Sequence, residues 1–150
     1  MGLFDKIKSA VKMVTGGSAA VTLELGPRRD DGSYPARVKA VVSSTDLEIG
    51  RVYLAVEGLE TVRYKIKEPG SEHETEQTLS ETTFKTEVDI APAQSLVANK
   101  EYLFEGLFSL PADAPHTYLG KNARHEWRVY AGLDASGTDP ASSWTAFTHS

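Results

Sequence analysis

Residues 101–133 read EYLFEGLFSLPADAPHTYLGKNARHEWRVYAGL, two stretches of alternating apolar and polar residues joined by a crossing that contains Pro111 and Pro115. Successive side chains on a strand point to opposite sides, so Phe104, Gly106 and Phe108 share one face and Leu103, Glu105 and Leu107 the other. The two prolines lack an N–H and hold φ near that of an extended chain, which keeps them out of a central ladder and ends the first strand near Leu110. After the crossing, His125, Trp127, Val129, Ala131 and Leu133 line one face, and Glu126, Arg128 and Tyr130 the opposite one. This is the pattern of a half-buried strand with a large aromatic anchor. Phe104, Phe108, Trp127 and Val129 are therefore expected in the core.

The aromatic strand, the run Ser109-Leu110-Pro111-Ala112-Asp113-Ala114-Pro115 and the aromatic, basic return strand resemble the middle of an arrestin-like N-lobe. More narrowly, the opening Met1-Gly2-Leu3-Phe4-Asp5-Lys6 and the run Tyr118-Leu119-Gly120-Lys121-Asn122-Ala123-Arg124-His125-Glu126-Trp127 are similar to bacterial sporulation-control proteins of the arrestin-like superfamily. The resemblance is most specific over residues 101–133 and weakest over 67–100. It implies an all-β, two-sheet, immunoglobulin-like (arrestin-like) β-sandwich and a regulatory scaffold that meets other proteins in the cytoplasm. Arrestin-like proteins usually carry two such sandwiches in tandem, whereas a chain of 150 residues has length for one.

That length allows roughly two-thirds of the unfolded chain's surface to be buried, enough for a core without covalent staples. The chain has no cysteine, which excludes disulfides, thiolate zinc sites and thiol catalysis and agrees with a reducing cytoplasm. A net charge of −5 without a basic stripe argues against nucleic acid as a partner. No apolar run approaches a membrane span, and Asp5, Lys6, Lys8 and Lys12 interrupt what would have to be the apolar part of a secretory signal.

Two units are expected, an amphipathic helix with its glycine-rich tether over 1–17 and one sandwich domain over 18–150. Leu3, Ile7, Ala10, Val11 and Val14 recur at the spacing of one helical face, with Phe4 beside them, until Thr15-Gly16-Gly17-Ser18 breaks the pattern. Such a helix either packs on the sandwich or offers Leu3, Phe4, Ile7 and Val11, flanked by Lys6, Lys8 and Lys12, to a partner's groove or an anionic membrane surface. Myristoylation does not add to the membrane reading, because Lys6 stands where that pattern requires Ser or Thr.

From Ala19 onward the hydrophobic period is two. Strands are expected at Ala20–Leu25, Ala36–Ser43, Ile49–Glu57, Thr61–Ile66, Thr82–Ile90, Tyr102–Ser109, Arg124–Asp134 and Ser143–Phe147, with turn signals between them. Val38, Ala40 and Val42 are read as inward against Arg37, Lys39 and Val41, and Val52, Leu54 and Val56 as inward against Arg51, Tyr53 and Ala55.

Lys67 to Glu81, KEPGSEHETEQTLSE, is the compositional anomaly. With no aromatic residue and Leu79 as its single bulky aliphatic, it reads as a solvated hairpin tip or long loop. Glu68, Glu72, Glu74 and Glu76 are candidates for docking a basic partner. They lack the glycine turn and ligand order of a calcium loop, so no metal is expected there.

Catalytic patterns are thin, and neither an enzyme nor a cofactor is expected. His73, His116, His125 and His149 are scattered without ligand spacing, and no GxSxG elbow occurs. His125 beside Trp127 is read as a core histidine bonded to backbone, and His116 as exposed. Gly16-Gly17-Ser18 follows its helix, whereas phosphate cradles precede theirs. Lys121, Arg124 and Arg128 are candidate anion contacts, set against a solvated face paired with Glu126 and its neighbours. A single lobe leaves sheet edges open to homodimerisation or to an added partner strand. The other readings are a membrane-surface adaptor and a ligand- or carbohydrate-binding sandwich using Tyr53, Tyr130 or Trp144.

Overall fold

Every strand pairing in the computed structural model, which describes residues 17–150, is antiparallel. The strands are β1 (Ala19–Leu25), β2 (Tyr34–Val42), β3 (Leu47–Lys67), β4 (Glu74–Ala91), β5 (Gln94–Leu96), β6 (Glu101–Phe108), β7 (Tyr118–Leu119), β8 (Ala123–Ala135) and β9 (Thr145–Phe147). One sheet has the order β1-β2-β6; the other runs β4-β3-β8-β7, with β5 on β3 and β9 on β8. The amphipathic segment, with Leu3, Phe4, Lys6, Ile7, Lys8, Val11 and Lys12, lies outside the described residues.

The core forms where the alternation places it. Val21, Val38 and Ala40 from the first sheet and Val52, Leu54, Val56, Trp127, Val129, Ala131 and Leu133 from the second are all buried between the two layers. Phe108 is buried, and Phe104 packs against the cluster from a partly buried position. Trp127 is fully enclosed, and its Nε1–H donates to the Pro115 carbonyl at 2.8 Å. The proline crossing is thus a plug, tied to the core by the one polar atom of its anchor. At the same end, Tyr34 and Phe108 stack, Phe147 meets both, and buried His149 lies 2.8 Å from the Tyr34 hydroxyl through Nδ1.

Three expectations are corrected. The strands read at Ile49–Glu57 and Thr61–Ile66 are one 21-residue strand, β3. Gly58, which falls between those two expected strands, is the place where the Trp127 ring lies on the backbone: a Cβ there would sit 3.0 Å from Trp127 Cζ3. Second, the acidic segment is mostly strand. Only residues 68–73 form the turn, and Glu74 to Glu81 pair with β3 from Lys67 back to Glu60. Third, Tyr53 and Ala55 do not face solvent: both are buried, and the chain after β8 folds back over Tyr53. The Tyr53 hydroxyl donates to Asp139 Oδ2 at 2.8 Å, Arg51 lies over the Tyr53 ring, and Tyr130 meets it edge-on. Burial, then the bond to Asp139, hold the Tyr53 phenol far above the usual tyrosine range.

Two predictions follow from this packing. A Cβ on Gly132 would lie 2.4 Å from Tyr53 Cζ, and Tyr53 is held by Asp139, so Gly132→Ala is expected to lower stability by about 1–3 kcal/mol in urea unfolding. For His149, burial first, then Arg28 and His116, depress the pKa below the ordinary imidazole value, and the ring also faces Tyr34 and Trp127. The folded state therefore favours the neutral ring. Below about pH 6.5 the unfolded chain binds the proton more readily, so stability is full above that pH and falls beneath it. The urea midpoint should drop from pH 7 to pH 5, and His149→Phe should make that drop shallower.

Candidate interaction surface

Beyond Val62, which pairs with both Ala123 of β8 and Leu79 of β4, the hairpin of β3 and β4 projects as a two-stranded ribbon. Its two faces differ. The outward face carries Arg63, Lys65 and Lys67 on β3 and Glu74, Glu76 and Thr78 on β4, with ion pairs Arg63–Glu76 at 3.0 Å and Lys65–Glu74 at 4.0 Å. The inward face continues the core face of β3 (Val52, Leu54, Val56, Gly58) into Glu60, Val62, Tyr64 and Ile66, matched on β4 by Glu81, Leu79, Gln77 and Thr75. Tyr64, Ile66 and Leu79 are 42%, 41% and 61% exposed.

A two-stranded ribbon without a covered face is marginal in water, and exposed ion pairs add little to it. The inward face also holds a charge conflict. Glu60 stands directly opposite Glu81, an arrangement that destabilises a sheet, and neither carboxylate forms an ion pair among the described residues. On the other side of Glu60 in the same cross-strand row is buried His125. Its Nε2 bonds to Thr83 Oγ1 at 2.7 Å, a side-chain partner where a backbone one was expected, and its Nδ1 has no partner among the described residues.

The residues singled out from sequence are dispersed. Glu68 and Glu72 lie in the exposed turn, while Glu74 and Glu76 lie on the strand, engaged with Lys65 and Arg63. Lys121, Arg124 and Arg128 do not converge as an anion site. Arg128 bonds to Glu57 at 3.2 Å and lies 4.0 Å from the centre of the Trp144 ring, and Arg124 pairs with Glu126 at 3.3 Å. Tyr53, Tyr130, Asp139, Ser142 and Trp144 line a shallow depression of about 470 Å³. Three of its polar groups are already used: the Tyr53 hydroxyl donates to Asp139, which also accepts from the Ala135 amide, and Ser142 accepts from the Ala131 amide. The guanidinium of Arg128 covers one face of Trp144. His116 is exposed, as expected. Among the described residues no group of three or more His, Cys, Asp or Glu is placed to hold a metal ion.

The inward hairpin face was missed by sequence reasoning, although its signal is present. Val62, Tyr64 and Ile66 alternate with Arg63, Lys65 and Lys67, and Leu79 is the lone bulky aliphatic of the facing strand.

The engagement of Arg128 predicts a contrast. Arg128→Ala leaves the mostly buried Glu57 carboxylate without that partner and should cost about 2 kcal/mol of folding stability. Arg124→Ala, at an exposed pair, should stay within about 0.5 kcal/mol of wild type in the same urea titration.

No family model matches the chain, and no curated protein matches it. Among solved structures, Spo0M, the sporulation control protein from Bacillus subtilis, is similar at a TM-score of 0.58 and 23% sequence identity, over 88% of this chain and 49% of that one. The chain spans about half the length of that structure. The likeness establishes the fold, a Spo0M-like, arrestin-like β-sandwich.

Proposed function

We propose that the chain is a protein-interaction module of the arrestin-like type, acting by binding rather than catalysis, with a regulatory role in the cytoplasm of the kind that the name of Spo0M describes. One observation carries this reading. The core face of the second sheet runs out past the first sheet and leaves Val62, Tyr64, Ile66 and Leu79 on a ribbon that nothing in the described chain covers. An apolar surface contiguous with a core, on an element too thin to hold itself, is the signature of a surface completed by another molecule. The fold likeness to a sporulation control protein supports a regulatory setting, by analogy of fold.

The test is affinity capture from native cytoplasm with the full chain and with a Tyr64→Ser/Leu79→Ser variant. Both sites are exposed, so the variant should fold with stability within about 0.5 kcal/mol per site of wild type. A protein retained by the wild type and lost with the variant is the expected result. Identical capture by both would overturn the assignment of function to this face.

A further inference from the structure

The geometry points to a specific chemistry for what covers the hairpin: a segment of a different protein that lays apolar side chains on Val62, Tyr64, Ile66 and Leu79 and places a lysine or arginine between Glu60 and Glu81. This deepens the proposed function and rests on it. Charge complementarity on a single face selects such a partner. Glu60 and Glu81 are direct cross-strand neighbours, both exposed, and their repulsion is uncompensated by any cation of the described chain. The next pairs outward along the ribbon are Val62 with Leu79, then Tyr64 with Gln77, then Ile66 with Thr75. An anionic patch thus sits at the base of an apolar stripe, on one side of a strand pair.

The opposite side of the same ribbon shows the contrast. There the charges of Arg63, Lys65, Glu74 and Glu76 are mutually satisfied. A partner choosing between the two faces finds four paired charges and the cationic Lys67 on one, and unneutralised carboxylates beside apolar area on the other. Unneutralised charge steers association, and the adjacent apolar area holds the complex once formed. An acidic or purely apolar segment would leave the carboxylates facing like charge or desolvated without a counter-ion, which disfavours both.

The test uses two synthetic peptides of identical apolar sequence, one with lysine and one with glutamate at the remaining positions, titrated into the isotope-labelled full chain and followed by amide NMR. The lysine peptide should perturb residues 60–66 and 75–81, the glutamate peptide should not, and raised salt should weaken the effect. Glu60→Gln/Glu81→Gln should weaken lysine-peptide binding about tenfold and leave the urea midpoint equal to or above that of wild type, since it removes the repulsion. Equal binding of both peptides, or perturbation centred on the Arg63 face, would overturn the inference. So would concentration-dependent shifts of the same amides without peptide, which would assign the face to a second copy. Their displacement on removal of residues 1–16 would likewise overturn it, assigning the face to the chain's own basic segment. Capture of a partner that needs Tyr64 and Leu79 but is indifferent to Glu60→Gln/Glu81→Gln would sink the charge argument and leave the proposed function standing.

Discussion

The contact on which the rest of the structure depends is the Trp127 indole lying on the bare backbone of Gly58. Trp127 is completely buried, its Nε1–H reaches the Pro115 carbonyl, and its ring meets Phe84 from β4 and Phe147 from β9. One side chain therefore joins the second sheet, the proline crossing and the last strand. Truncating a tryptophan so placed removes about 3–5 kcal/mol in comparable cores, a large part of what a domain of this size has to spare. The glycine is as necessary as the tryptophan, since a Cβ at Gly58 would also meet Thr83 Oγ1 at 2.9 Å.

That contact has a consequence at the other end of β3. Because the indole lies over a residue without a side chain, the strand passes beneath it unbroken and keeps pairing with β4 and β8 on either side. The first sheet stops where Leu25 meets Ala36 and Tyr34 meets Phe108. The second sheet outgrows it. A face that is core at Val56 becomes an exposed, amphipathic ribbon by Tyr64, with no change in the direction of its side chains. The interaction surface is the uncovered continuation of the core.

Much of this was legible in the sequence, and the exceptions have physical causes. The faces of β2, β6 and β8 follow from alternation alone, because each of these strands has one buried and one wetter side. Tyr53 defeats that rule because the Asp134–Trp144 segment returns over it on the outer face, a tertiary event with no local signal. The residues between Glu57 and Thr61 carry no alternation that would join the two expected strands, and Gly58 among them marks the close approach of a ring. β5 and β7 are too short to show a period. The hairpin tip was obscured by composition: a stretch rich in glutamate and threonine reads as solvated loop, whereas pairing with Lys67 back to Glu60 makes it strand. His125 was placed correctly in the interior, but its partner Thr83 is distant in sequence and could not be named.

Thr83 also explains how the charges come to be sorted. β4 has an irregularity opposite the Gly58–Leu59 step, where Phe84 pairs with Gly58 and Thr82 with Leu59, leaving Thr83 as the extra residue. Inward positions on β4 are Thr75, Gln77, Leu79 and Glu81 before that point, and Phe84, Thr86 and Val88 after it. Without the extra residue, the strand that places Phe84 and Val88 in the core would turn Leu79 and Glu81 outward and bring Glu74, Glu76 and Thr78 onto the inward face. The inserted residue is itself occupied, with its hydroxyl on His125 Nε2. A single irregularity thus reconciles an apolar inner half of β4 with an outer half whose glutamates can meet Arg63 and Lys65, and it leaves Glu81 facing Glu60. The unpaired carboxylates follow from the register that builds the core, and relief of their repulsion falls to whatever covers the ribbon.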